Sequence, residues 1–374
     1  MAGMEYKQLK PFEHVYFTGM VRDKQGRKMS KQLGNSPDLL ELIDKFGADA
    51  VRFGILISAP AGNDLLFDES SCEQGRNFNN KLWNALKLVR SWEARLQGPD
   101  DNLSPLNAEH FATKWFANRL EEVKAQVEIM YSQFRLSEAL KTIYSLIWDD
   151  FCSWYLEWAK PGFEQPVDSA IYNSTISFFE ELMQMLHPFM PFVSEEIYHL
   201  LKDQNDDLCV KQFQFRDTID ATILQQGELL KQSISALRDV RVKNNIKPKE
   251  TIRLHIQAAE EKSYLEIESI LAKQVNTASI VYVMEAVPNT IAILIGKDKF
   301  FIEAEQTIDV AAQKEQLLKE LDYLQGFLVS VEKKLNNERF VQNAKPEVVE
   351  IERRKHADAR EKIIAIEDNL KSLN

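Results

Sequence analysis

Apolar residues recur at helical spacing along most of this chain, which predicts a mainly α fold. Before residue 36 the pattern is irregular, and residues 15–17 are a short strand candidate. Ser36-Pro37 predicts the start of a helix, which we expect to end at Gly47. A second short helix is predicted over residues 49–58 and a long amphipathic helix over about 68–96.

Residues 107–202 predict a bundle of four helices. The first helix has its apolar stripe from Leu120 to Met130, and the second begins at Leu136 and carries five aromatic residues. The third runs over residues 168–186, and the fourth is predicted to be capped by Ser194. Aromatic residues at helical spacing indicate a core rather than a surface for base stacking. They are Trp148, Phe151, Trp154, Tyr155 and Trp158.

From residue 216 the pattern changes to that of a small α+β unit. The predicted order is a basic helix at 228–243, a strand at 251–256, a helix at 265–273, and strands at 280–284, 291–295 and 300–302.

The end of the chain has the seam of a coiled coil. From Leu317 to Leu335, apolar residues recur at alternating spacings of 4 and 3. After a polar break that starts at Asn336, the pattern resumes from Ile363 to Leu373. Two seams with a break between them predict an antiparallel helical hairpin. Its first arm, residues 309–335, would be about 40 Å long at ~1.5 Å per residue.

Composition narrows the class of protein. The 374 residues suffice for two to four domains. No apolar run is long enough for a membrane span, and no signal peptide is recognisable at the start. The three cysteines, Cys72, Cys152 and Cys209, lie far apart, which predicts a cytoplasmic protein without a cysteine zinc site.

The net charge of −11 argues against a nucleic-acid partner until its distribution is considered. Residues 7–31 and residues 231–253 each contain seven lysines and arginines against two acids, a local balance of +5. Such patches can contact phosphates. Taken alone, each patch is explained more simply as a solvated surface.

The candidate chemistry lies in residues 26–35, where Lys28 and Lys31 stand in a loop with glycine near each end. Glycine hinges allow such a loop to close over a ligand, and a lysine ammonium suits phosphate oxygens. When the α-phosphate of ATP is attacked, negative charge builds on the departing pyrophosphate, and positioned cations lower this barrier. From these residues alone, an ordinary basic surface turn is the alternative.

Lys28-Met29-Ser30-Lys31 resembles the lysine signature loop of class I aminoacyl-tRNA synthetases, and residues 33–35 resemble its usual continuation. Gln32 stands where that signature usually has a second serine. Nearly the whole chain resembles the valyl-tRNA synthetases, and the terminal hairpin separates these from isoleucyl and leucyl relatives. The similar segments are residues 15–19, 21–23, 47–52, 63–69, 76–84, 148–157, 187–192, 237–241 and 335–341.

The resemblance implies a reaction and its participants. Valine and ATP would form valyl-adenylate, and the valyl group would then pass to tRNA(Val). Lys28, Met29, Ser30 and Lys31 would contact ATP, which is bound with Mg2+ in the full-length enzyme. Lys28 and Lys31 would be catalytic, with the transition-state role given to Lys31. We expect no metal site, no membrane and a monomer.

The resemblance also implies four regions. Residues 1–100 would be the tail of a class I catalytic domain and 101–215 a helical-bundle anticodon-binding domain. Residues 216–307 would be a small α+β connector and 308–374 a coiled-coil tRNA-binding arm. The family's His-Ile-Gly-His-type motif, valine pocket and editing domain should precede residue 1. We therefore expect a C-terminal fragment that is inactive alone.

Two alternatives stay open from the sequence. One is a fragment of an isoleucyl-type synthetase, which competition between amino acids in a charging assay would distinguish. The other is a non-catalytic RNA-binding or scaffolding protein with a coiled-coil end.

Overall fold

The computed structural model describes residues 2–59, 62–96, 110–162, 164–201, 206–215, 218–304, 310–337 and 346–372. It contains two compact units, Met1–Leu224 and Gln225–Asn374. Helices dominate both units, so the predicted mainly α class is confirmed. The finer division into four regions stays a prediction. Within the described residues, no helix is both long enough and apolar enough to cross a membrane.

In the described part of the first unit, one pair of short parallel strands accompanies the helices. The predicted strand at residues 15–17 is wrong. Val15 and Phe17 are 68% and 81% exposed and pair with no strand among the described residues. Strand propensity is realised only when a partner strand is present. The elements are α1 (Ala2–Lys7), β1 (Val21–Arg22), α2 (Leu39–Phe46), α3 (Ala48–Ile57), β2 (Leu65–Leu66), α4 (Glu69–Glu93), α5 (Phe111–Ser132), α6 (Leu136–Ser145), α7 (Leu156–Ala159), α8 (Ser169–Leu186) and α9 (Pro191–Leu201).

Helices α3 and α4 pack closely against each other. At Gly75 a Cβ atom would lie 2.7 Å from the carbonyl oxygen of Ala50, so a side chain there would force the helices apart. The adjoining core joins α2, α3 and α4 through the buried residues Leu42, Phe46, Ala50, Val51 and Cys72.

Asp38, not Ser36, begins helix α2. The Asp38 carboxylate accepts hydrogen bonds from the backbone N–H groups of Leu40 and Glu41, at 2.8 and 3.3 Å. The prediction of a start at Ser36-Pro37 is therefore wrong by two residues. An ionised carboxylate can accept hydrogen bonds from both free N–H groups, and its negative charge interacts favourably with the positive end of the helix dipole.

Ser194 is likewise not the cap of α9, because it lies inside that helix and donates its hydroxyl hydrogen bond to the Met190 carbonyl, at 2.8 Å. The N–H groups of Phe192 and Val193 instead donate to the carboxylate of Asp49, from helix α3, at 3.4 and 2.6 Å. Burial raises the pKa of Asp49. The cap comes from a residue 143 or more positions away, so local sequence could not reveal it.

The aromatic residues of the bundle form a core, as predicted. Between α6 and α7 the helix widens into a π-helical segment, Leu146–Tyr155, which was not predicted. Phe151, Tyr155 and Trp158 are fully buried, and the rings of Phe151 and Tyr155 stack at 5.5 Å. Trp148 and Trp154 are half-buried at the margin of this core.

The second unit begins inside helix α10 (Ala221–Lys243). Its four-stranded sheet has the order β4-β3-β6-β5, in which only the β3–β4 pair is parallel. The predicted α+β unit is confirmed, although the helix predicted at 265–273 is divided in two. The elements are β3 (Ile252–Gln257), α11 (Lys262–Leu265), α12 (Glu268–Val275), β4 (Thr277–Tyr282), β5 (Ile291–Ile295) and β6 (Asp298–Glu303).

Two long helices, α13 (Val310–Leu335) and α14 (Pro346–Ser372), follow the sheet and pack against each other. Lys334 contacts Glu352 at 3.5 Å and Glu332 contacts His356 at 3.1 Å, so the helices are antiparallel, as predicted. Residues 309 and 338–345 and the side chain of Leu317 lie outside the described part. Helix α14 also contacts β5. The seam buries Val331, Val349, Ala359, Ile363 and Ile366.

Candidate functional site

The segment that leads into the lysine loop is fixed to the chain around Asp64. Strand β1 pairs with β2, and the N–H of Met20 donates to the Asp64 carboxylate at 2.9 Å. The Arg22 guanidinium also pairs with this carboxylate and lowers its pKa. At Gly19 a Cβ atom would lie 1.9 Å from the Asn63 carbonyl oxygen, so only glycine allows this approach.

Asp23 organises the turn before the loop. Its carboxylate accepts hydrogen bonds from the N–H groups of Gln25 and Arg27, at 3.0 and 2.9 Å, and from the Arg27 Nε, at 2.8 Å. The Asn35 amide donates a fourth, at 2.9 Å. The Asn35 hydrogen bond and then those from Arg27 hold the pKa of Asp23 well below its usual range. The carboxylate therefore stays ionised at neutral pH.

Asn35 closes the loop from its far end. Its side-chain oxygen accepts from the N–H of Ser30 at 2.9 Å, and its amide nitrogen donates to the Lys28 carbonyl at 3.2 Å. Inside the loop, the N–H of Leu33 donates to the Ser30 hydroxyl oxygen at 3.2 Å. Gly34 reverses the chain with φ +65°, a conformation that glycine adopts without strain. The loop thus has one defined shape.

Among the cations of residues 22–31, Lys28 and Lys31 are the two that form no ion pair with the described residues. Arg22, Lys24 and Arg27 form ion pairs with Asp64, Asp68 and Asp23 respectively. Lys28 and Lys31 are exposed, and neither has a carboxylate within ion-pair distance among the described residues. Two cations on an ordered, solvent-facing loop are suited to bind a polyphosphate.

Met29 and Ser30, also predicted to contact ATP, are half-buried, whereas Gln32 is exposed. The backbone and hydroxyl of Ser30 already serve the loop's own hydrogen bonds. Asn35 was not predicted as a site residue. Its place in the Leu33-Gly34-Asn35 continuation of the signature was the only sequence signal.

Replacing Asn35 with alanine should loosen the lysine loop without changing its charge. The loss of three hydrogen bonds, each worth roughly 0.5–1.5 kcal/mol, should speed hydrogen exchange at the N–H groups of Ser30 and Leu33 at least several-fold. Exchange mass spectrometry of the intact chain measures this. Gln25→Ala is the matched control, because only the backbone of Gln25 bonds to Asp23. Equal exchange in the two variants would show that Asn35 does not order the loop.

Three side chains in the described part of the chain have the spacing of metal ligands: Glu195, His199 and Asp207. His199 Nε2 lies 3.2 Å from a carboxylate oxygen of each of the other two. His199 and Asp207 are 38% and 67% exposed, and a hydrogen bond between the imidazole and the carboxylate accounts for their contact. We assign no metal to them.

Cations also lie on the hairpin near its turn. Lys334 and Lys355 both contact Glu352 and lower its pKa, with Lys355 the stronger influence. Lys333 and Arg354 are exposed and have no carboxylate within ion-pair distance in the described residues. Of the other cations near the turn, Arg353 is 4.0 Å from Glu350, and Arg339 and Lys345 lie outside the described part.

Three family models match separate parts of the chain. Residues 1–68 match "tRNA synthetases class I (I, L, M and V)", and residues 113–256 match "Anticodon-binding domain of tRNA ligase". Residues 309–374 match "Valyl tRNA synthetase tRNA binding arm". The lysine loop lies in the first of these regions and the hairpin in the last.

The chain is similar along its whole length to curated valine–tRNA ligases. It is 44% identical to that of Parabacteroides distasonis, 45% to that of Bacteroides fragilis strain YCH46 and 32% to that of Thermotoga maritima. It covers 42%, 42% and 43% of these proteins. A solved LeuRS–tRNA–LeuAMS complex from Agrobacterium radiobacter K84 matches with 24% identity and a TM-score of 0.44, too low to define the fold; the match covers 58% of this chain and 25% of that one. By sequence, the chain matches models of the class I aminoacyl-tRNA synthetases, and over its full length it is similar to the C-terminal part of the valyl enzymes.

Proposed function

We propose that this chain is the C-terminal part of a valine–tRNA ligase, which activates valine with ATP and transfers it to tRNA(Val). The principal support is that Lys28 and Lys31 are unpaired on a loop whose neighbouring charges are used to fix its shape. Similarity to valine–tRNA ligases over the full chain supports the choice of amino acid.

In the proposed reaction, the valine carboxylate attacks the α-phosphate of ATP and pyrophosphate leaves, giving valyl-adenylate. Lys28 and Lys31 would meet the phosphate oxygens, and Lys31 would stabilise the charge that builds on the departing pyrophosphate. Asp23 and Asn35 would hold both lysines in position before ATP arrives. A hydroxyl of the tRNA 3′ end then attacks the adenylate carbonyl, and AMP leaves. Mg2+ would accompany ATP in the whole enzyme.

We further propose that residues 101–215 bind the anticodon arm and that residues 308–374 contact another part of the tRNA. Residues 216–307 would form the α+β connector between these two regions. The names of the matching family models support tRNA as the partner. The hairpin buries its own seam, so it needs no second chain, and we expect a cytoplasmic monomer.

Lys333→Ala combined with Arg354→Ala should weaken tRNA(Val) binding by the intact chain. Each lost phosphate contact should lower the log–log slope of affinity against salt by about 0.9, the value for a duplex. The pair of substitutions should therefore lower that slope by about 2. Truncation at residue 308 is a poorer test, because α14 contacts β5 and its removal would expose the sheet.

The matched control for the hairpin is Lys262→Ala with Lys297→Ala, two exposed lysines of the same unit outside the hairpin. Salt-series binding with the control should resemble that of the wild type. If the hairpin variant and the control have equal slopes, the hairpin does not contact tRNA phosphates. A dimer of the intact chain by sedimentation would contradict the expected monomer.

A further inference from the structure

The turn between α10 and β3 presents an unpaired cationic surface. Of the seven cations in residues 231–253, Arg253 pairs with Glu303 at 3.3 Å and Arg238 donates to the Gln274 side chain. Lys243, Lys247 and Lys249 are exposed, and no carboxylate of the described chain lies within ion-pair distance of them. We call residues 243–249 the cationic turn.

The chain leaves helix α10 in a fixed conformation. The N–H of Ile246 donates to the Arg241 carbonyl at 2.8 Å, and the N–H of Asn245 donates to the Val242 carbonyl at 3.2 Å. Asn245 is left-handed, with φ +56°, and Ile246 is 5% exposed. These are the features of a Schellman motif, which orders the end of a helix.

Arg241 and Asn276 hold the rest of the turn through its carbonyl groups. Arg241 is 5% exposed and donates to the carbonyls of Lys247 and Glu250, both at 2.9 Å. It also donates to the carbonyls of Val275 and Asn276, at 2.6 and 3.2 Å, where the negative end of α12 favours a cation.

The Asn276 amide donates to the carbonyls of Lys249 and Glu250, at 3.0 and 3.1 Å, and is 3.5 Å from that of Pro248. With Arg241, it engages every carbonyl from residue 247 to residue 250. The inner side of the turn is thus occupied by hydrogen bonds, while the lysine side chains face solvent.

We propose that the cationic turn binds the phosphate backbone of RNA. The identification of this RNA as tRNA rests on the proposed function. A lysine ammonium acts as a point charge, so it can bind phosphates that approach from different directions. An ordered backbone also reduces the entropy lost on binding. The negative end of the α10 dipole favours a cation at position 243. This electrostatic effect fades within the last helical turn, so it does not account for Lys247 or Lys249. The turn also lies within the region matched to an anticodon-binding domain.

The test is tRNA(Val) binding by the intact chain across a salt series, with Lys243, Lys247 and Lys249 all replaced by alanine. The log–log slope should fall by about 2–3, and affinity at about 0.1 M salt should fall at least tenfold. Affinities of variant and wild type should converge near 1 M salt, where counterion release contributes little. The control is Lys262→Ala with Lys297→Ala, which removes two lysines of the same unit outside the turn and should bind nearly as the wild type does.

The outcomes separate this inference from the proposed function. If the wild type binds tRNA and the triple variant keeps its slope, the inference is wrong while the proposed function stands. If the wild type binds no tRNA even at low salt, both are wrong. If the triple variant loses binding to poly-glutamate but not to tRNA, the turn binds acidic peptides and the inference is wrong.

A second variant tests the ordering of the turn without changing charge. Asn276 has φ +49°, so Asn276→Gly keeps the backbone conformation while removing the side-chain hydrogen bonds. We expect tRNA affinity to fall a few-fold with an unchanged salt slope. Unchanged affinity, with faster hydrogen exchange in residues 247–250, would contradict the positioning role of Asn276.

Discussion

In a full-length valine–tRNA ligase that contains this chain, Lys31→Ala should lower the rate of valyl-adenylate formation by about 10²–10³-fold. This corresponds to about 2.7–4 kcal/mol, the usual effect of removing one charge-stabilising donor. Affinity for valine should change little, because the charge acts mainly in the transition state. Single-turnover adenylation and valine-dependent ATP–pyrophosphate exchange measure the two quantities separately.

The charge-matched control for Lys31→Ala is Lys10→Ala, since Lys10 is exposed outside the loop. It should leave exchange within about two-fold of wild type, as surface substitutions usually do. A Lys31→Ala enzyme with a normal exchange rate but a raised valine requirement would show that Lys31 binds the ground state instead. Asn35→Ala should fall between the two variants, because it disturbs the position of the lysines but removes no charge.

The 374-residue chain alone should show no valine-dependent exchange above background. Its sequence contains no His-Ile-Gly-His-type motif, and one lysine loop cannot orient both ATP and valine. The assay is pyrophosphate exchange with and without valine, with a full-length valine–tRNA ligase as the positive control. Valine-dependent exchange by the purified chain would contradict the assignment of this region as an incomplete active site.

Helix placement was the most predictable part of the fold. Local spacing of apolar residues predicted the long helices and the four strands of the second unit, because that pattern reflects which face is buried. It did not predict α1, β1 or β2. The caps of α2 and α9 were misassigned for different reasons. At α2, Ser36 and Asp38 are both residue types that cap helices, and the sequence did not show that Asp38 is the cap. At α9 the cap is Asp49 of another helix.

Two of the segments that resemble valyl enzymes meet each other in the structure. Asp49 caps the helix that begins at Pro191, and Arg52 donates to the carbonyls of Pro188 and Phe189, at 3.1 and 3.0 Å. These motif residues therefore stabilise the packing of α3 against α9. Sequence similarity alone does not separate such packing residues from residues that contact ligands.

Charge counts over the sequence located two cationic patches but could not say which charges were available. Of the five cations in residues 22–31, three form ion pairs, and Lys28 and Lys31 have none with the described residues. In residues 231–253, Arg241 proved to be buried and structural, although its segment resembles the family. Whether a cation is available for a ligand depends on partners such as Asp64 and Asn276, which lie far from it in the sequence.

Recognition of tRNA(Val) by the 374-residue chain is tested most directly by direct binding at several salt concentrations. The ligands are tRNA(Val), the same tRNA with its anticodon replaced, and a noncognate tRNA of equal length. We predict that tRNA(Val) binds more tightly than the other two at every concentration, and that all affinities fall steeply with salt. Equal affinity for all three RNAs would contradict the proposal that this chain is the tRNA-recognising part of a valine–tRNA ligase.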